Sequence, residues 1–253
     1  MAKKSFLHTV NLFIRSLIFS TYAIVSVILY SFVCILATPL PFRIRYTIVS
    51  SWTWSVISVL KIVCRVNYHI EGMENLKKVK NGIIFSKHQS TWETFFLASH
   101  FHQAAIIVKR ELLWVPFFGW GLATVDPIAL NRKKGSTAME QLVKEGKKCL
   151  AEGRWILIFP EGTRIASGKI GNYRIGGARL AVATGYPVIP IAHNAGRYWS
   201  KRSFIKKPGT VKVVIGPPIE TKDSTPEQVL KKSKSWIEST MLRIDPESYV
   251  HTK

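Results

Sequence analysis

Between Ser16 and Phe42 the chain carries no charged residue, a neutral run inside a protein of 253 residues that includes 36 Lys and Arg. As a helix, Ser16 to Thr38 would be about 35 Å long at about 1.5 Å per residue, enough to cross a hydrocarbon core of about 30 Å. A cleaved leader is not expected, because the run is too long and lacks a small-x-small pattern before the next charges. The remainder of the chain is therefore expected to fold beside a membrane.

Thr38-Pro39-Leu40-Pro41 ends that helix, and Arg43 and Arg45 follow. A second apolar segment, Tyr46 to Leu60, is short for a span, and its Trp52 and Trp54 suit a water–lipid boundary. Basic residues flank the first segment on both sides, so loop charge gives a single crossing no clean orientation. Two antiparallel helices, inserted as a hairpin or lying partly in one leaflet, resolve that conflict; a single ordinary span is the alternative. The character of the chain changes after Arg65, which divides it into N-terminal membrane-anchoring helices (1–65) and a second domain (66–253).

Against the 36 basic residues stand 15 acidic ones, a formal charge of +21. Such a balance calls for an anionic partner, nucleic acid or an acidic membrane surface. With 47% hydrophobic residues and no nucleic-acid motif, lipid is the favoured partner. Cys34, Cys64 and Cys149 are scattered, with no C-x-x-C or His/Cys cluster, so neither a metal site nor a disulfide framework is expected.

Seven short apolar or alternating runs follow Arg65: 66–70, 82–86, 104–108, 124–130, 155–159, 187–193 and 211–215. Helical patterns separate most of them, over 92–102, 136–152 and 178–184, and another helix over 225–243 follows the last. This alternation predicts an α/β fold with a mostly parallel central sheet of about seven strands flanked by helices.

Ser86-Lys87-His88-Gln89-Ser90-Thr91-Trp92-Glu93 joins the 82–86 strand to the first of those helices. Turns of this kind, at the carboxyl ends of strands, carry the chemistry of open α/β sheets. Glu93 falls in the first helical turn, within reach of the His88 ring. A carboxylate on one imidazole nitrogen fixes the tautomer and leaves the other to take a proton from a hydroxyl. The same residues also read as a capping box, with Ser90 capping the helix and Glu93 reaching back to its N–H. Residue types alone leave both readings open.

The other strand ends deliver Lys109 and Arg110, Arg132, Glu161 to Arg164, and Asn194. A base, several cations and a glycine that admits close backbone approach would then converge on one rim, as suits a phosphate-bearing alcohol. Four blocks carry a family resemblance. They are His88 to Glu93; Lys109-Arg110-Glu111-Leu112 through Phe118-Gly119 to Asn131-Arg132; Phe159-Pro160-Glu161-Gly162-Thr163-Arg164; and Val188-Ile189-Pro190-Ile191-Ala192. In order and spacing they resemble the glycerophospholipid acyltransferases, over about half of the chain.

The resemblance implies that His88 is the general base and Glu93, where Asp is usual, its partner. It implies that Arg164 binds a substrate phosphate, that Glu161, Gly162 and Thr163 shape the pocket, and that Lys109, Arg110 and Arg132 contact the anion. Ile165 stands where Ser is common. The implied reaction moves a fatty acyl group from acyl-CoA or acyl carrier protein to the free hydroxyl of lysophosphatidate. It takes place at the cytoplasmic face of the inner membrane, with no cofactor beyond the thioester donor. Two alternatives stay open: another acceptor, such as glycerol 3-phosphate or a lyso-ornithine lipid, or a non-catalytic basic protein that binds acidic lipid or nucleic acid.

Overall fold

A computed structural model describes residues 2–131 and 135–249. The chain opens with two long helices, α1 (Ala2–Leu36) and α2 (Phe42–Cys64). Two stretches, Phe6–Leu36 and Phe42–Cys64, are each long and apolar enough to cross a membrane. The second helix is longer than its apolar centre predicts, because Phe42 to Arg45 and Lys61 to Cys64 extend it on both sides. It ends at Arg65, whose left-handed φ of 56° turns the chain into the first strand.

The sheet contains β1 (Val66–Glu71), β2 (Ile83–Ser86), β3 (Ala105–Lys109), β4 (Ile128–Leu130), β5 (Ile156–Ile158), β6 (Val188–His193) and β7 (Gly209–Ile215) in the order β1-β7-β6-β2-β5-β3-β4. Five neighbouring strands, β6 to β4, are parallel; β7 pairs antiparallel with β6, and β1 parallel with β7. The seven expected strands are all present. The 124–130 run contributes only its last three residues, because Thr124 and Val125 instead close turns onto Gly121 and Leu122.

Alternate residues of the buried strands feed opposite faces, as period-two geometry requires. Ile84, Leu157, Ile189 and Ile191 pack with α2 and with α3 (Trp92–His100), while Ile83, Phe85, Ile156 and Ile158 face the other layer. That layer comprises α5 (Gly135–Ala151), α6 (Gly176–Thr184) and α7 (Pro226–Ile244). A short helix α4 (Phe118–Ala123) leans on α1, and α8 (Pro246–Tyr249) follows α7. Phe19 of α1 and Trp52, Val56 and Leu60 of α2 share the core of the first layer, so the N-terminal helices pack directly on the sheet's helical cover.

The topology itself creates a crevice. From β2 the chain passes through α3 to β3 on one face; from the adjacent β5 it passes through α6 to β6 on the other face, in the opposite direction. Adjacent strands whose connections part in this way leave a gap at their carboxyl ends, where ligands bind in open α/β sheets. Phe85 is fully buried at the centre of this arrangement and meets Gly177 of α6, where any Cβ would approach its ring to 2.8 Å. Phe85→Ala is expected to cost about 3–5 kcal/mol, which lowers the thermal midpoint of the detergent-solubilised chain by roughly 6–20 °C.

Candidate active site

The pairing of β2 with β5 aligns Phe85 with Ile158. Three residues further along each strand come His88 and Glu161, and the backbone N–H of His88 donates to Glu161 Oε2 at 2.7 Å. The blocks containing these two residues, far apart in sequence, therefore meet because their strands are neighbours in register. The left-handed φ of Gly162, 68°, lets the second block turn back over the strand end.

His88 Nδ1 lies 2.8 Å from Glu93 Oε1. The same oxygen accepts the backbone N–H groups of Gln89 at 2.9 Å and Ser90 at 2.8 Å. Both sequence readings of Glu93 are thus realised in one atom: it partners the imidazole and it reaches back to Ser90. The remainder of the cap differs from a full box, for the first turn begins after Thr91 and the Ser90 hydroxyl accepts from Trp92 N–H.

Glu93 is fully buried. Burial alone would raise its carboxyl, but nearby His193 and His88 and the Ser90 N–H outweigh this and hold it below the ordinary value of 4.5. A carboxylate at Nδ1 leaves Nε2 as the basic nitrogen, and Nε2 has no hydrogen-bond partner among the described residues. Phe159 stacks on the imidazole at a centroid distance of 4.0 Å and fixes the plane of the ring.

Arg164 donates from Nε to the Ser90 carbonyl at 2.9 Å, which seats its guanidinium on the turn that carries His88. Its own carbonyl accepts from Lys201 Nζ at 2.7 Å. The two terminal nitrogens of Arg164 have no hydrogen-bond or ion-pair partner among the described residues. Glu161 does not pair with Arg164; its cation is Lys87, at 2.7 Å. Thr163 is exposed beside them.

Lys109 and Arg110 stand at the carboxyl end of β3, exposed, with no side-chain bond to a described residue. Arg132 lies outside the described residues. Asn194, a further strand-end candidate, instead ties β6 to β7 by accepting the Lys212 N–H at 2.8 Å.

Sequence reasoning missed Lys87, His193 and Lys201. Buried His193 donates from Nε2 to the Lys87 carbonyl at 2.7 Å and accepts the Ala195 N–H at Nδ1, and burial holds its pKa below the ordinary range. No signal local to these residues marks them, because each acts on a segment distant in sequence.

Behind the crevice lies an apolar cavity between α1, α2, α3 and the 112–125 segment, lined by Tyr30, Trp52, Phe95, Ile106, Phe118 and Leu122 among others. Thr94 and Phe95, which follow Glu93, form part of its wall. The aromatic segment around Phe118 thus contributes a cavity lining, while its Trp114 and Trp120 remain exposed.

Glu93 also leaves a signature in stability. A carboxyl lowered on folding stabilises the protein above its unfolded pKa, and that stabilisation is lost as pH falls through the folded value. The thermal midpoint of the wild type is therefore expected to exceed that of Glu93→Gln at neutral pH and to converge with it on acidification well below 4.5. Unfolding scans against pH check this; a gap that persists unchanged into strong acid would contradict it.

A family model described as Acyltransferase matches residues 67–194. The 1-acyl-sn-glycerol-3-phosphate acyltransferase of Pseudomonas aeruginosa is 46% identical over 215 residues, 83% of each chain. A chloroplastic enzyme of the same name from Arabidopsis thaliana is 29% identical over 71% of this chain and 50% of its own length. The crystal structure of the 1-acyl-sn-glycerophosphate acyltransferase PlsC from Thermotoga maritima shares the fold, with a TM-score of 0.78 at 22% identity over 93% of this chain and 97% of that one. With the family model over half of its length and a relative at 46% identity over most of it, the chain belongs to the acyltransferase family.

Proposed function

We propose that this protein is a membrane-bound 1-acylglycerol-3-phosphate O-acyltransferase. It moves a fatty acyl group from an acyl-CoA or acyl carrier protein thioester to the free hydroxyl of lysophosphatidate, giving phosphatidate. The observation that carries the reading is the bond from Arg164 to the Ser90 carbonyl. It sets an anion-binding group and a carboxylate-backed imidazole on one turn, as an acceptor bearing both a phosphate and a hydroxyl requires. The names of the relatives point to the same acceptor.

In the reaction, Glu93 holds the Nδ1–H of His88, and Nε2 takes the proton of the acceptor hydroxyl as its oxygen attacks the thioester carbonyl. The developing imidazolium is stabilised by the buried carboxylate. The tetrahedral oxyanion collapses with loss of thiolate, which recovers the proton from Nε2. Arg164 engages the phosphate through its terminal nitrogens, and Lys109, Arg110 and Arg132 supply further positive charge. One of these cations serves the oxyanion. The apolar cavity beside Glu93 receives a fatty chain. The exposed apolar faces of α1 and α2, with Leu29, Phe32, Leu36 and Trp54 open on the surface, hold the site at the lipid boundary.

His88→Ala is expected to lower turnover by about 10²- to 10⁴-fold while leaving the thermal midpoint near that of the wild type; retained turnover would refute the assignment. Arg164→Ala is expected to raise KM for lysophosphatidate by about 10- to 150-fold, the loss of a charge-assisted contact worth about 1.5–3 kcal/mol. A panel of acceptors with the purified protein tests the phosphate directly. Acceptors without phosphate should lose much less to the Arg164 substitution, since for them only the Ser90 bond is removed, and an equal loss on every acceptor would overturn its role at the phosphate.

A further inference from the structure

Beneath the turn that carries His88 lies an ion network outside the roles assigned above. Lys87 is fully buried, and its Nζ lies 2.7 Å from Glu161 Oε1 and 2.8 Å from Glu238 Oε1. It also donates to the Lys169 carbonyl at 3.2 Å and to Glu238 Oε1, while its contact with Glu161 Oε1 is an ion pair without hydrogen-bond geometry. The second oxygen of Glu161 accepts the backbone N–H of His88 at 2.7 Å. Glu238 belongs to α7, 151 residues beyond Lys87 in sequence, and is itself held by the Tyr173 hydroxyl at 2.8 Å and the Tyr249 hydroxyl at 3.5 Å. An unbroken path of polar contacts thus runs from the C-terminal helix through Lys87 and Glu161 to the peptide bond of His88.

We propose that Lys87 is a positioning residue. Its buried ammonium, held from α7 by Glu238, supplies the charge that lets Glu161 grip the backbone N–H of His88 and fix the turn from which the imidazole works.

The chemistry of Glu161 requires such a partner. A buried carboxylate without a cation takes up a proton, and a protonated carboxyl is a weaker acceptor for a peptide N–H. Burial pushes the Glu161 carboxyl above the ordinary range; Lys87 and the His88 N–H pull it down, and Glu238 pushes it up again. The ionisable groups around it are Lys87 at the end of β2, His88 next to it, Glu238 on α7, Tyr173 in the loop after β5 and Tyr249 on α8. Among the described residues only Lys87 is a cation within ion-pair distance of Glu161. The loop is also pinned from the C-terminal side. Gly168 lies so close to α8 that a Cβ there would collide with the Ser248 carbonyl, and Ser167 donates to Asp245 at 3.0 Å.

The test rests on the acyl-transfer reading for its substrate and carries a second readout that needs none. The full chain in detergent micelles is assayed across pH with lysophosphatidate and an acyl-CoA as wild type, Lys87→Met, Lys87→Arg, Glu238→Gln and the double variant Lys87→Met/Glu161→Gln. For Lys87→Met the proposal predicts a kcat at neutral pH reduced tenfold or more, with KM for lysophosphatidate within about twofold of the wild type. Its acid limb moves to higher pH, because loss of the cation raises the Glu161 carboxyl. In the double variant the Glu161 carboxyl is gone, and the part of the displacement that it causes is gone with it.

Lys87→Arg keeps the limb where it was. Glu238→Gln keeps an acceptor for Lys87 and Tyr173 but removes a negative charge, so its limb moves the other way, to lower pH; this arm stands even if Lys87→Met fails to fold. The unfolding midpoint reads the same carboxyl without substrate. In folded Lys87→Met it falls as pH rises through the raised value, and in the double variant that fall is smaller by the share of Glu161. A wild type inactive on lysophosphatidate would sink the functional reading and leave the unfolding arm to decide this one. Limbs and midpoints unmoved by Lys87→Met or by Glu238→Gln, or a limb displaced as far in the double variant as in Lys87→Met, would overturn it.

Discussion

The site depends on how a short turn of backbone, Lys87 to Ser90, is held. Lys87 N–H donates to the Ile191 carbonyl, and the Lys87 carbonyl accepts from His193. His88 N–H goes to Glu161, and the His88 carbonyl accepts the Ile165 N–H at 2.8 Å. Gln89 and Ser90 donate to Glu93, and the Ser90 carbonyl accepts from Arg164. Away from water each such group costs free energy unless it is paired. Here the pairing is done largely by ionisable side chains, Glu93, Glu161, Arg164 and His193, so the groups that hold the imidazole in place also set its tautomer and its neighbours.

Much of this was legible in the sequence because it is local. The strand–turn–helix around His88, the alternation that builds the sheet and the neutral N-terminal run are each written in contiguous residues. Glu93 is the instructive case: read as a cap or as an imidazole partner, it is both, because one carboxylate oxygen can accept several donors. What stayed hidden is pairing across the fold. Lys87 looks like a solvated charge at a strand end, and nothing near it points to Glu238 on the C-terminal helix. The reversal of β7 and β1 was equally invisible, since an alternating strand reads the same in either direction.

The N-terminal helices belong to the same physical account. Their inner faces, with Phe19, Trp52, Val56 and Leu60, bury into the layer that also contains Trp92 and Phe96 of α3. Their outer faces stay apolar and open. A helix pair apolar on both sides offers its outer face to a lipid phase, as the proposed function requires. Lys206 adds a further tie: buried against Phe19, Trp199 and Phe204, it donates to Ser20 of α1 at 3.2 Å. The loop that contains it also supplies Lys201 to the Arg164 carbonyl, which links the helices to the Glu161–Arg164 block.

The central claim is direct transfer, with His88 acting as a base and no acyl group ever resting on the protein. Rapid mixing of the purified chain with acyl-CoA alone, followed by acceptor, tests it most directly. The account predicts that no thiol is released until lysophosphatidate arrives and that the protein mass stays unchanged throughout. A burst of thiol equal to the enzyme concentration before acceptor is added, with an acyl group covalently bound to the chain, would contradict it.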